Sequence, residues 1–161
     1  MAEIARLCER DWPIYRDVRL ASLADSPSAF GSRVAEERDR TDADWRARLA
    51  ARTQFVARER GRSVGTVGSL IEEDGTVELV SMWVAPDARG TGVADLLIDA
   101  VVTDAQGRGC RRIALWVAVG NEPAERLYAR HSFERTGRTQ PIDDDDPARG
   151  VEFEMTRVDR P

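Results

Sequence analysis

The chain has 161 residues, 42% hydrophobic and 33% charged, with a formal net charge of −5 at pH 7. That size and balance fit one globular domain over residues 1–161, long enough to bury roughly 68–70% of the surface its unfolded form exposes. All 24 basic residues are arginine. An acidic chain without a dense basic stripe argues against nucleic acid, whose phosphates supply most of the affinity for a protein, and against an anionic membrane surface.

The chain starts "MAEIARLCERDW", which lacks the charged-then-apolar pattern of a secretory signal, and no stretch approaches the ~20 apolar residues of a membrane span. A cytoplasmic location is expected. Cys8 and Cys110 stand far apart without metal-ligand spacing, so two buried thiols are expected rather than a disulfide or a metal site.

In chain order, "EIARLC" reads as a first strand. Asp11 is expected to cap the helix that follows, with Pro13 tolerated in its first turn and Ile14, Val18 and Leu20–Leu23 near one face. "DSPSAFGS" breaks that helix. "RVAEERDR" is a second helical patch, and "TDADWRARLA" restarts with Thr41 as cap and acidic residues in the first turn. From Gln54 the period changes to two. "QFVARERG", "RSVGTVGSLIEEDG" and "TVELVSMWVAP" read as antiparallel strands joined at Gly61 and Asp74-Gly75, the third apolar on both faces and so placed mid-sheet. Val93, Leu96, Leu97, Ala100 and Val101 follow helical spacing. "CRRIALWVAV" is a second central strand, and "NEPAERLYARH" a short helix capped by Asn121 with Pro123 in its first turn. "FERTG" and "GVEFEMTRV" close the chain as strands. A strand–helix–strand unit among hairpins predicts a mixed α/β sheet flanked by helices.

The turn "DARGTGVAD" between the third hairpin strand and its helix carries no bulky side chain, and three phosphate readings compete for it. A Walker loop needs a lysine, which is absent, and a dinucleotide fingerprint needs a small residue where Asp95 stands. The third reading is physical: the first N–H groups of the helix lack internal partners, Gly90, Gly92 and Ala94 leave them uncovered, and Arg89 adds a planar donor fork. A plain glycine-rich turn with a surface arginine is the competing reading.

"VAPDARGTGVADLL" resembles the acetyl-coenzyme A signature of the Gcn5-related N-acetyltransferase (GNAT) family, Gln/Arg-x-x-Gly-x-Gly/Ala, at Arg89, Gly92 and Ala94. "NEPAERLYARHSF" resembles the family's second signature at Asn121, Ala124, Leu127 and Tyr128, and the order of elements agrees from residue 2 to about 158. One departure stands out. Ser132-Phe133 replaces the usual Gly-Phe, which suggests a differently closed turn after the last helix.

The resemblance implies the acyl-CoA N-acyltransferase fold, a mostly antiparallel sheet with one splayed parallel pair. It implies acetyl-CoA as co-substrate and no metal. The diphosphate would lie on the amides of Arg89, Gly90, Thr91, Gly92, Val93 and Ala94, and the pantetheine arm between the strands ending at Val84 and Val119. Backbone groups of Met82, Trp83 and Val84 would hold that arm. Transfer to a primary amine of a small molecule or peptide would be direct. Tyr128 is the implied proton donor to the departing thiolate, with plain helix packing as the competing reading.

Glu78 is the base candidate. It is read as sharing a strand face with Val80, Met82 and Val84, against a charged residue at the strand's solvent end. Asn121 both caps its helix and reaches the pantetheine, and the sole histidine, His131, reads as structural. The acceptor is expected beside "RLASLADSPSAFGS" and "TQPIDDDDPARG", with Arg19 and Phe30 as pocket residues. Asp143 to Asp146 read as a solvated loop or a lure for a cationic amine. A homodimer stays open. So do two other functions, an acyl-CoA-binding regulator without turnover and an acetyltransferase of proteins or aminoacyl-RNA.

Overall fold

A computed structural model describes residues 1–25 and 34–159. Seven strands form one sheet: β1 (Glu3–Arg6), β2 (Thr53–Glu59), β3 (Arg62–Ile71), β4 (Val77–Val84), β5 (Arg112–Ala118), β6 (Glu134–Pro141) and β7 (Val151–Val158). Their spatial order is β1-β2-β3-β4-β5-β7-β6, and every neighbouring pair is antiparallel except β4 and β5. The strand with apolar residues on both faces, β4, lies fourth of the seven, as its composition requires.

Helix α4 (Val93–Gly107) covers one face, burying Val93, Leu97, Ile98, Val101, Val102 and Ala105. It approaches closely because β3 presents Gly65 there: a Cβ at that position would stand 3.1 Å from both Val93 Cγ1 and Leu97 Cδ1. Helices α1 (Trp12–Asp25) and α3 (Asp42–Ala50) pack on the other side against β3 and β2, and α2 (Val34–Arg38) packs on α1. Tyr15 of α1 and Trp45 of α3 meet edge to face at 5.5 Å and close a second cluster with Leu7, Leu49 and Val56. Helix α5 (Glu122–Arg130) lies beside α4, tied by His131, whose Nε2 sits 2.8 Å from Asp95.

Local chemistry explains most boundaries. Thr41 caps α3 as expected, its hydroxyl accepting from Asp44 N while Asp44 accepts from Thr41 N. Asp11 does not cap α1. The chain is already turning at Glu9, so the Asp11 carboxylate reaches back to accept from Cys8 N at 2.8 Å and from the Cys8 thiol at 3.1 Å. That also corrects the expectation of two buried thiols, since Cys8 is exposed and Cys110 half-buried.

The turn after α5 is a second correction. Ser132 itself takes the left-handed conformation, φ 68°, and Phe133 N donates to Tyr128 O, so serine closes the same turn a glycine would. Among the described residues no helix is long and apolar enough to cross a membrane.

Candidate active site

Strands β4 and β5 share two rungs only, Val77 opposite Ile113 and Glu78 opposite Ala114, although they run on to Val84 and Ala118. Beyond Glu78 they diverge, and the backbone groups on their facing edges lose their ladder partners. An extended ligand with amide groups can take those partners' place. The wedge is a cleft of about 370 Å³, walled by both strands, by the α5 cap Asn121 and by Ala124, Leu127 and Tyr128 of α5. Two hollows join it. One of about 480 Å³ shares Met82, Asn121, Ala124 and Leu127 and ends on Arg89, Gly90, Gly92 and Ala94. The other, about 580 Å³, shares Glu78, Trp116 and Gln140 and is lined further by Glu72 and Glu154.

At the first hollow's far end the chain takes two left-handed steps, φ 77° at Gly90 and 89° at Gly92, and α4 starts at Val93 without a side-chain cap. The leading N–H groups of a helix have no internal acceptor, and those of Gly90, Thr91 and Gly92 make no backbone bond to a described residue. A Cβ on either glycine would meet nothing within 4 Å, so this corner is open. Open donors at the positive end of a helix dipole suit an anion.

Arg89 is placed differently from its expected role. Its Nε donates to Val84 O at 3.0 Å and its Nη2 to Asp25, the last residue of α1, which also accepts from Trp83 Nε1 at 2.9 Å. The fork therefore ties the turn to α1 and does not point at the open donors.

The expected common face of Glu78, Val80, Met82 and Val84 is broken. The register between β3 and β4 slips at Ser81, φ 55°, so Val80 pairs with Gly68 and Val84 with Gly65. A Cβ on Gly68 would face Gln54 and Val80, whereas one on Gly65 would face α4. Directly opposed residues share a face, so Val80 and Val84 point to opposite sides of the sheet. Glu78 keeps its place at the closed end of the cleft.

Electrostatics single out Glu78. Burial, a hydrogen bond with Glu72, and the charges of Glu72, Glu152 and Glu154 push its carboxyl from 4.5 up to about 7. Burial also raises Tyr128, whose ring is 7% exposed and stacks edge to face on Phe133 at 5.9 Å. Its hydroxyl has no hydrogen-bond partner among the described residues. Asn121 caps α5 by accepting from Ala124 N at 3.3 Å and lines both cleft and hollow. His131 lies between Asp95 and Asp99, which agrees with a structural role.

Arg19, nearly buried, lines the cleft and pairs with Glu37 at 3.4 Å. Phe30 lies outside the described residues. Asp143 and Asp146 fold the β6–β7 loop on itself, Asp143 accepting from Asp145 N and Arg149, and Asp146 from Ala148 N. Glu72 and Glu152 escaped the sequence reading. Hairpin register around Asp74-Gly75 contained the signal for Glu72, because it shares the strand face of Leu70, and Leu70 opposes Glu78. Among the described residues no group of three or more His, Cys, Asp or Glu is arranged to hold a metal ion.

A sequence model of the acetyltransferase (GNAT) family matches residues 7–133. An uncharacterized N-acetyltransferase of Methanocaldococcus jannaschii is 37% identical over 86 residues, which are 50% of this chain and 38% of that protein. The chain therefore spans well under two thirds of this curated relative. Two solved structures share the fold at low identity. A GNAT acetyltransferase from Streptococcus pneumoniae superposes with TM-score 0.79 at 19% identity, covering 98% of this chain and 99% of that one. The yncA protein of Salmonella typhimurium, solved with its cofactor acetyl-CoA, gives 0.77 at 18% identity, covering 100% and 96%. The chain belongs to the acetyltransferase (GNAT) family.

Proposed function

We propose that this member of the GNAT family is an N-acetyltransferase that passes the acetyl group of acetyl-CoA directly to a primary amine in one ternary complex. One observation carries the reading: a continuous groove runs from the uncovered N–H groups at Gly90–Gly92, along the free edge of β4, to Glu78 and Tyr128. An anionic end, an amide-bearing arm and a reacting carbonyl meet matching groups in that order.

The bound carrier supplies an activated thioester, and the chain's own residues do the remaining work. Amides of Gly90 to Ala94 receive the diphosphate, and edge groups of Met82 to Val84 pair with the arm. A backbone N–H at this edge polarises the thioester carbonyl, a contribution of ~3–4 kcal/mol to such transition states. An alkyl amine arrives protonated, with a pKa of about 10.4, and Glu78 takes its proton because the carboxyl titrates near neutrality. Tyr128, held neutral by burial, donates to the departing sulfur.

The test is free-thiol release from acetyl-CoA over a panel of amines. Amine-dependent release that falls in Glu78→Gln and Tyr128→Phe supports the reading. Tight coenzyme A binding without release at any amine would make the chain an acyl-CoA-binding regulator instead.

A further inference from the structure

Four glutamates stand on or beside one face of the sheet where β4, β5 and β7 meet, and they are not equivalent. Glu154, 4% exposed, accepts from Thr136 Oγ1 at 2.8 Å and Arg138 Nη1 at 3.0 Å, with Arg112 Nη2 at 3.8 Å. Its charge is matched. Among the described residues Glu152 receives only the neutral amide of Gln140, at 2.7 Å. Glu78 and Glu72 have no arginine within ion-pair distance among the described residues. Among the described residues lining the cleft the one cation is Arg19, which pairs with Glu37 at 3.4 Å, a carboxylate that Arg48 also meets at 2.7 Å. Even with Arg19 counted in full, the described cleft lining sets two carboxylates, Glu78 and Glu152, against one arginine.

An independent feature marks the same cleft as a place for a polar ligand. The Tyr128 hydroxyl, on a ring more than nine-tenths buried, lines it without a hydrogen-bond partner among the described residues. A hydroxyl open to the cleft can take its hydrogen bond from water or from a bound ligand.

Resting on the acetyltransferase reading, we propose that the acceptor is a small dication, a diamine whose reacting end lies at Glu78 and whose second ammonium is held by Glu152. Glu152 opposes Ala118 and Glu78 opposes Ala114 on strands that flank β5 on either side, so their backbones differ by four residues along β5, about 13 Å, and by two strand spacings across it, about 10 Å. Both carboxylates line the one cleft, and the charge of Glu152 acts on Glu78, so a small ligand can meet both. A monoamine leaves Glu152 unmatched in a partly desolvated cleft. An amino acid would bring a carboxylate against it. Both are disfavoured by the same charge argument.

The matched probes are 1,5-diaminopentane and 1-aminopentane, identical but for the second charge. Each is titrated calorimetrically into the chain saturated with coenzyme A, in wild type and Glu152→Gln. The diamine is expected to bind about tenfold more tightly than the monoamine in wild type, with that ratio falling toward one in the variant. Equal binding of the two amines to wild type overturns the proposal, as does a ratio unchanged by Glu152→Gln. Diamine preference without thiol release would overturn the acetyltransferase reading and leave the dication site standing. If coenzyme A does not bind, the same ratio is read on the chain alone.

Discussion

Glu78 pairs with Ala114 at the last rung that β4 and β5 share, so its carboxyl stands where the sheet opens. A base there is covered enough to be raised to about 7 and open enough to meet an incoming amine. Activity should therefore rise with pH through about 7, as the carboxyl loses its proton. Glu78→Gln removes that limb and lowers kcat roughly 10²- to 10⁴-fold, measured as a pH profile of thiol release. The stability effect has the opposite slope. The folded chain holds this proton more tightly than the unfolded chain, whose carboxyl titrates near 4.5. The group's stabilising contribution is complete below 4.5 and is lost as pH rises through about 7. Melting curves of Glu78→Gln should lack that loss.

Glu72 acts through Glu78. Its hydrogen bond and its negative charge both raise the Glu78 carboxyl, second only to burial. Glu72 is itself exposed near the β3–β4 turn, so Glu72→Gln should fold normally. Its activity midpoint should move to lower pH while the maximal rate is retained. An unchanged midpoint would remove Glu72 from the account.

Tyr128 donates its hydroxyl to nothing in the described protein, so Tyr128→Phe leaves no buried group stranded and should not lower the melting temperature. The predicted loss is in kcat, about tenfold or more, with coenzyme A affinity unchanged. A variant that loses stability in step with activity would show that the ring, not the hydroxyl, carries the effect.

Ser132 holds φ 68°, a left-handed conformation that penalises a side chain. It is exposed and lines neither the cleft nor its two hollows, so Ser132→Gly should stabilise the fold by about 0.5–1 kcal/mol with activity intact. Denaturant unfolding of the two chains checks this.

Much of the site was legible because its signals are local. The bare turn at Gly90–Gly92, the Asn121 cap and the spacing to Tyr128 each lie within one short stretch, and propensity and capping act at that range. What escaped depends on partners distant in sequence. The Ser81 bulge sets which face Val84 takes, and strict alternation cannot reveal an extra residue. Arg89 looked free to grip an anion until Asp25, 64 residues away, was found to hold it. Glu152 becomes part of the cleft only through the β5–β7 register.

The central claim is that open main-chain donors at Gly90–Gly92 hold the charged end of a thioester carrier. Gly92→Val tests it directly. A Cβ there meets no protein atom, yet φ 89° strains any side chain, and the added bulk covers the donors. Calorimetric titration with coenzyme A should give one saturable site in wild type and binding at least about tenfold weaker in the variant. Equal affinities in the two chains, or no heat from wild type at millimolar ligand, would contradict the claim.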